Sequence, residues 1–181
     1  MAAATPAQNE LEFNLRELSP DDSVSGLSLG DAAFNPLKTF LNRDAKKHHQ
    51  QNGSKTYVFV STSAPKKVIA YVTLLCSHVE SQTPPDGLDG SRFTDYPAIK
   101  IARLAVDRRF TGYRLGTRLI DFTIALAQTK IMPHIGCRFL VVDSKKQAIN
   151  FYIKQGFRIL ETEANKKATN PVMFVDLGKL E

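Results

Sequence analysis

The stretch from Ile101 to Gly116, IARLAVDRRFTGYRLG, constrains this chain more than any other. A short apolar run (Ile101, Ala102, Leu104, Ala105, Val106) gives way to arginines and then to glycines at 112 and 116. Leu115, Leu119, Phe122 and Leu126 then recur at steps of three and four, the spacing of one helix face. A strand that feeds a helix through a glycine-bearing loop aims backbone N–H groups and a helix N-terminus at an anion. Arg108, Arg109 and Arg114 add permanent positive charge, in planar forks that match phosphate oxygens. A phosphorylated ligand is expected here.

Two familiar phosphate loops do not fit. A Walker loop ends in Gly-Lys-Ser/Thr, whereas Gly116 is followed by Thr117-Arg118. A dinucleotide fingerprint needs three glycines at offsets of two and three, and they are absent. What remains is Arg109-x-x-Gly112-x-Arg114-x-Gly116.

The rest of the chain reads as a single α/β domain over residues 11–181, preceded by a disordered tail over residues 1–10. The tail lacks the charged and apolar regions of a signal peptide, and no apolar stretch approaches a membrane span, so the cytoplasm is the default location. Strands are expected over Glu12–Leu18, Thr56–Ser61, Val68–Leu75, Ala98–Val106, Arg138–Val142, Phe157–Leu160 and Val172–Leu177. One helix is expected from Asn35-Pro36 to about Asn52-Gly53, a second from Tyr113 to Thr129, and a third from Lys145 to Lys154, closed by Gly156. A turn is expected around Ala64-Pro65, and a polar loop from Ser77 to Tyr96. Early strands in meander order and later strands separated by helices imply a mixed sheet in a three-layer fold. Cys76 and Cys137 sit in apolar runs and read as buried free thiols of a reducing compartment. His48 and His49 close a helix, and His78 and His134 stand alone. No Cys/His spacing suits zinc, so no metal is expected.

The Arg109-x-x-Gly112 loop between a strand and a helix resembles the pyrophosphate loop of the GNAT superfamily of acetyl-CoA-dependent N-acetyltransferases, Gln/Arg-x-x-Gly-x-Gly/Ala. Arg114 stands where that pattern has a small residue. Downstream, Ala148-Ile149-Asn150-Phe151-Tyr152 and Gly156-Phe157 resemble the superfamily's Ala-x-x-Phe/Leu-Tyr-x-x-x-Gly-Phe signature, and the resemblance covers about residues 11 to 177. Ala102–Arg109, Val141–Tyr152 and Asn52–Phe59 further resemble the GNAT toxins of bacterial toxin–antitoxin pairs. The resemblance implies a mixed, mostly antiparallel central sheet with helices on both faces, and acetyl-CoA as co-substrate. It implies acetylation of the α-amine of aminoacyl-tRNA, which blocks translation. The implied partners are a small ribbon-helix-helix antitoxin and, commonly, a second copy in a homodimer.

On this reading Leu104, Ala105 and Val106 pair with the pantetheine arm and polarise the thioester carbonyl. Arg109, Thr111, Gly112, Tyr113, Arg114, Leu115, Gly116 and Thr117 would hold the pyrophosphate. Tyr152 is the candidate general acid for the departing thiolate, with a core tyrosine as the bland alternative. No Asp, Glu or His lies between Ala98 and Val106, so that strand offers no base; Glu80 or Asp143 would have to act through a water. An α-amine titrates near 8, far below a lysine near 10.4, and can arrive neutral, which favours an aminoacyl ester. Arg103, Lys46, Lys47 and Lys145 are candidate contacts to tRNA phosphates, within a chain of net charge +6. A small amine or a protein N-terminus as acceptor, and a CoA-binding module without catalysis, remain alternatives.

Overall fold

The computed structural model describes residues 11–80 and 95–180. The tail expected over residues 1–10 and the middle of the polar loop, residues 81–94, lie outside them. Among the described residues seven strands make one sheet in the order β1-β2-β3-β4-β5-β7-β6. They are β1 Phe13–Glu17, β2 Lys55–Ser61, β3 Ala64–Glu80, β4 Asp95–Val106, β5 Phe139–Asp143, β6 Arg158–Ile159 and β7 Val172–Asp176. Neighbours run antiparallel except β4 and β5, which are parallel and therefore need a crossover. Helix α3 (Leu115–Leu126) supplies it.

Successive residues of β2 bury on opposite faces. Val58 and Val60 join Leu41 of α1 (Asn35–Arg43) and Ala45 of α2 (Ala45–Gln50). Phe59 joins Leu115 and Leu119 of α3 and Tyr152 of α4 (Ile149–Lys154). A mixed, mostly antiparallel sheet covered on both faces is the three-layer architecture the sequence implied. Burial on both sides also explains why β2 reads as a continuous apolar run. A third cluster, with Val79, Tyr96, Phe139 and Phe174, fills the far end of the sheet.

Four local expectations need correction. The long basic helix is two helices that meet at Asp44, whose φ of −117° distorts the junction while its N–H still reaches Phe40 O. Ala64 and Pro65 open β3, and the turn falls two residues earlier, at Thr62-Ser63. Both ends of the expected polar loop are paired strand, through Glu80↔Asp95, because Val79 and Tyr96 are buried there among polar neighbours. Cys76 is exposed, since the pleat turns it outward, and Cys137 is half-buried. Helix α5 (Glu163–Lys166) was not expected; the Thr162 hydroxyl caps it, and buried Asn165 bonds Leu160 O and both backbone groups of Val172.

The feature that shapes the site lies at the parallel pair. β4 and β5 pair only over Ala98–Ile101 and Phe139–Val142, and β4 then runs on to Val106 paired with β3 but without a partner on the β5 side. On its other side Thr73 faces Arg103 but Leu74 faces Ile101, leaving Ala102 as an extra residue. Such a bulge bends its strand and increases the local twist. The strands part beyond it, and a cleft opens between them.

Candidate active site

Two chambers meet in this cleft. The wider, of about 580 Å³, is walled by Phe34, Leu37, Leu75, Lys100 to Leu104, Val142 and Asp143, with Lys145, Asn170 and Tyr152. The narrower, of about 210 Å³, is mostly apolar and takes in Leu29, Leu104, Ala105, Val106, Gly116 and Phe151. Phe34, Leu37, Leu104, Ala148 and Tyr152 belong to both. Phe34, Leu37 and Leu29 were not read from the sequence as site residues. The available signal was the Asp31 cap of a short 3-10 turn, Ala32–Phe34, directly before the Asn35-Pro36 helix start.

Tyr152 sits where the chambers join. Its ring packs edge-on between Phe151 and Phe157, and only 5% of the residue is exposed. Burial pushes the phenol well above the ordinary tyrosine range, so the proton stays on the oxygen at neutral pH. A phenol so held is a donor rather than a base.

The loop after β4 is built around Asp107. This buried carboxylate caps the 3-10 turn Arg108–Phe110 and accepts from the Ser28 and Arg109 amides. The Arg109 guanidinium grips both of its oxygens and also donates to Gly26 O. Burial opposes the charge on Asp107, but the Arg109 guanidinium and these amides outweigh it and bring the pKa down to about 2. Arg109 is thus committed to the loop's own framework. Gly112 adopts φ +103° and Arg114 adopts φ +54°, at the cap of α3. The left-handed backbone at 114 explains why a small residue suits that position. The amides of Gly112, Arg114, Leu115, Gly116 and Thr117 have no backbone acceptor among the described residues, as expected for a helix's first turn. At Gly116 a Cβ would stand 3.2 Å from the Phe151 ring, so a side chain there would require that ring to give by a few tenths of an ångström where α3 and α4 close on the narrow chamber.

The other candidate residues divide. Thr111 bonds back to Arg108 O through its hydroxyl, and Tyr113 stacks edge-on against Phe13 at 5.1 Å. The Leu115 side chain is buried in the core, and Thr117 is half-buried in the first turn of α3. Arg103 and Lys145 line the wide chamber, Arg103 lying over the Phe40 ring at 5.1 Å. Lys46 and Lys47 are on α2, away from both chambers, and Lys46 Nζ donates to Pro20 O.

A sheet that opens beside a bulged strand, with a glycine loop leading into the crossover helix, defines an acyltransferase-type cleft. A family model described as an acetyltransferase (GNAT) domain matches residues 53–159, and the chain belongs to that family. Among curated proteins it is 28% identical over 149 residues to a tRNA-acetylating toxin of Mycobacterium tuberculosis (strain ATCC 25618 / H37Rv), covering 82% of this chain and 86% of the relative. Among solved structures it resembles AtaT complexed with acetyl-methionyl-tRNAfMet, with a TM-score of 0.79 at 20% identity, over 92% of this chain and 96% of the other. It also resembles a tyrosine-to-phenylalanine mutant of AtaT bound to the C-terminus of the antitoxin AtaR and acetyl-CoA, with a TM-score of 0.73 at 20% identity, over 92% and 94%.

Proposed function

We propose that the protein is an acetyl-CoA-dependent N-acetyltransferase whose acceptor is the α-amine of aminoacyl-tRNA, and that it acts as a toxin by blocking translation. The observation that carries this reading is Tyr152, a buried, protonated phenol at the junction of a narrow apolar chamber and a wide cationic one. The narrow chamber suits the uncharged pantetheine arm, and the free amides of Gly112 and of Arg114 to Thr117 suit the diphosphate. Backbone N–H groups of Leu104 to Val106 orient the arm and its thioester carbonyl along β4.

The wide chamber then receives the acceptor. Among the described residues its charged walls hold three cations, Lys100, Arg103 and Lys145, against one carboxylate, Asp143. That balance suits an amine carried on a polyanion better than a free polyamine. In the reaction the amine nitrogen bonds to the thioester carbon, the carbon–sulfur bond breaks, and Tyr152 gives its proton to the leaving sulfur. Arg103 and Lys145 steer the acceptor end through phosphate contacts. Lys46 and Lys47, outside the cleft, are the further proposed contacts to tRNA phosphates. A ribbon-helix-helix antitoxin is the proposed partner, a homodimer the proposed assembly, and the cytoplasm the proposed site of action.

The test is incubation with labelled acetyl-CoA and total charged tRNA. Label on the aminoacyl end, lost in Tyr152→Phe while calorimetry shows CoA binding retained, is the expected result. Label only on polyamines or protein N-termini would favour the second acceptor class. Binding without transfer to any acceptor would point to a non-catalytic module.

A further inference from the structure

The strand that lines the cleft carries no acidic residue or histidine between Ala98 and Val106, so β4 itself offers the acceptor amine no proton acceptor. The neighbouring strand does. Asp143 is the last residue of β5, one step beyond the final β4–β5 pair, Ile101↔Val142. It stands at the point of divergence, level with the Ala102 bulge, and among the described residues is the one carboxylate in the walls of the wide chamber. Lys100 reaches across from β4 and holds it, with Nζ 2.6 Å from Oδ2. Asp143 is partly exposed, with 44% of its side chain open to solvent, so a proton taken there can leave without crossing the core.

We infer that Asp143 is a further catalytic residue, which accepts a hydrogen bond from the acceptor amine and takes its proton as the nitrogen–carbon bond forms, with Lys100 as its positioning residue. The inference rests on the acetyl-transfer reading above. The chemistry asks little of the carboxylate. Once the amine nitrogen has bonded to the thioester carbon it becomes strongly acidic, so a weak base in reach is sufficient. The amine's proton passes to an Asp143 oxygen, and the Tyr152 proton passes to the sulfur as the carbon–sulfur bond breaks. Solvent at the open rim takes the first proton from Asp143 and returns one to the Tyr152 oxygen. The sum is one amide and one free thiol. Carboxylate and phenol thus serve opposite ends of one transfer from two walls of one chamber.

The experiment compares Asp143→Asn, Asp143→Glu and Lys100→Met with the wild type, using acetyl-CoA and charged tRNA. Asp143→Asn should lower kcat about tenfold to a hundredfold, at the low end for a general base because the amine can arrive neutral. Its calorimetric CoA affinity and melting temperature should stay within twofold and about 2 °C of wild type. Asp143→Glu should recover part of the rate, and Lys100→Met should lose a smaller factor than Asp143→Asn. An Asn variant with at least half the wild-type kcat, or one whose loss is matched by weakened CoA binding, overturns the role of Asp143. A wild type that acetylates no acceptor would instead overturn the acetyl-transfer reading, and this inference with it.

Discussion

Arg114 occupies backbone that its side chain disfavours. At φ +54° a residue with a Cβ sits in the left-handed region, at a cost of about 1 kcal/mol that glycine avoids. Strain of this kind persists where surrounding structure imposes it, and it gathers at functional positions. Arg114→Gly is therefore expected to raise stability by roughly 0.5–1 kcal/mol, about 2–3 °C in melting temperature for a domain of this size. If the guanidinium serves the diphosphate, the same change weakens CoA binding by about tenfold, the range of one charge-assisted hydrogen bond. Calorimetry and thermal melting on one preparation separate the two effects. A variant that is both more stable and equally tight would remove Arg114 from the binding loop. Gly112, at φ +103°, makes the contrast: alanine there introduces the strain that glycine relieves at 114.

Among the elements, the turn after β4 depends most on a single ionised group. Asp107 joins the Gly26–Ser28 segment, the end of β4 and the Arg108–Phe110 turn by accepting hydrogen bonds from Ser28 and Arg109, whose guanidinium in turn donates to Gly26 O. Its pKa, about 2 in the folded chain, lies below the ordinary value near 4. A depressed carboxylate stabilises the fold above its unfolded pKa, and that contribution is lost as pH falls through the folded value. The contribution is on the order of 2 kcal/mol at neutral pH, present above about pH 4 and gone near pH 2. Urea midpoints of wild type and Asp107→Asn should differ most above pH 4 and converge toward pH 2; a gap independent of pH would show that the carboxylate's charge is not what holds the turn. The strand, glycine loop and α3 were legible in the sequence because the loop's residue types and the three-four spacing of Leu115, Leu119, Phe122 and Leu126 are local signals. The Arg109–Asp107 pair was also within two residues, yet arginine in a phosphate-type loop reads as a ligand contact. Phe34 and the Ala102 bulge were not legible. One depends on where a loop folds back on the sheet, the other on a register fixed only by β3.

For the molecule as a whole, the sheet's single parallel junction decides where chemistry can occur. Antiparallel partners on both sides keep β3 and β7 in register, while β4 and β5 separate after four residue pairs. The alternation of strands and helices therefore announced the architecture, but the position of the opening depends on where that pairing stops. Five side chains, those of Phe34, Leu37, Leu104, Ala148 and Tyr152, then form a common partition between the two chambers. A partition made of side chains rather than backbone can be bridged by one covalent molecule. An aminoacyl-nucleoside mimic tethered to the coenzyme's sulfur would lose its freedom of tumbling only once, where two separate ligands lose it twice. Such a hybrid should compete with acetyl-CoA at concentrations at least a hundredfold below those at which CoA does so. Equal potency would mean that the partition is a barrier and that each guest is recognised alone.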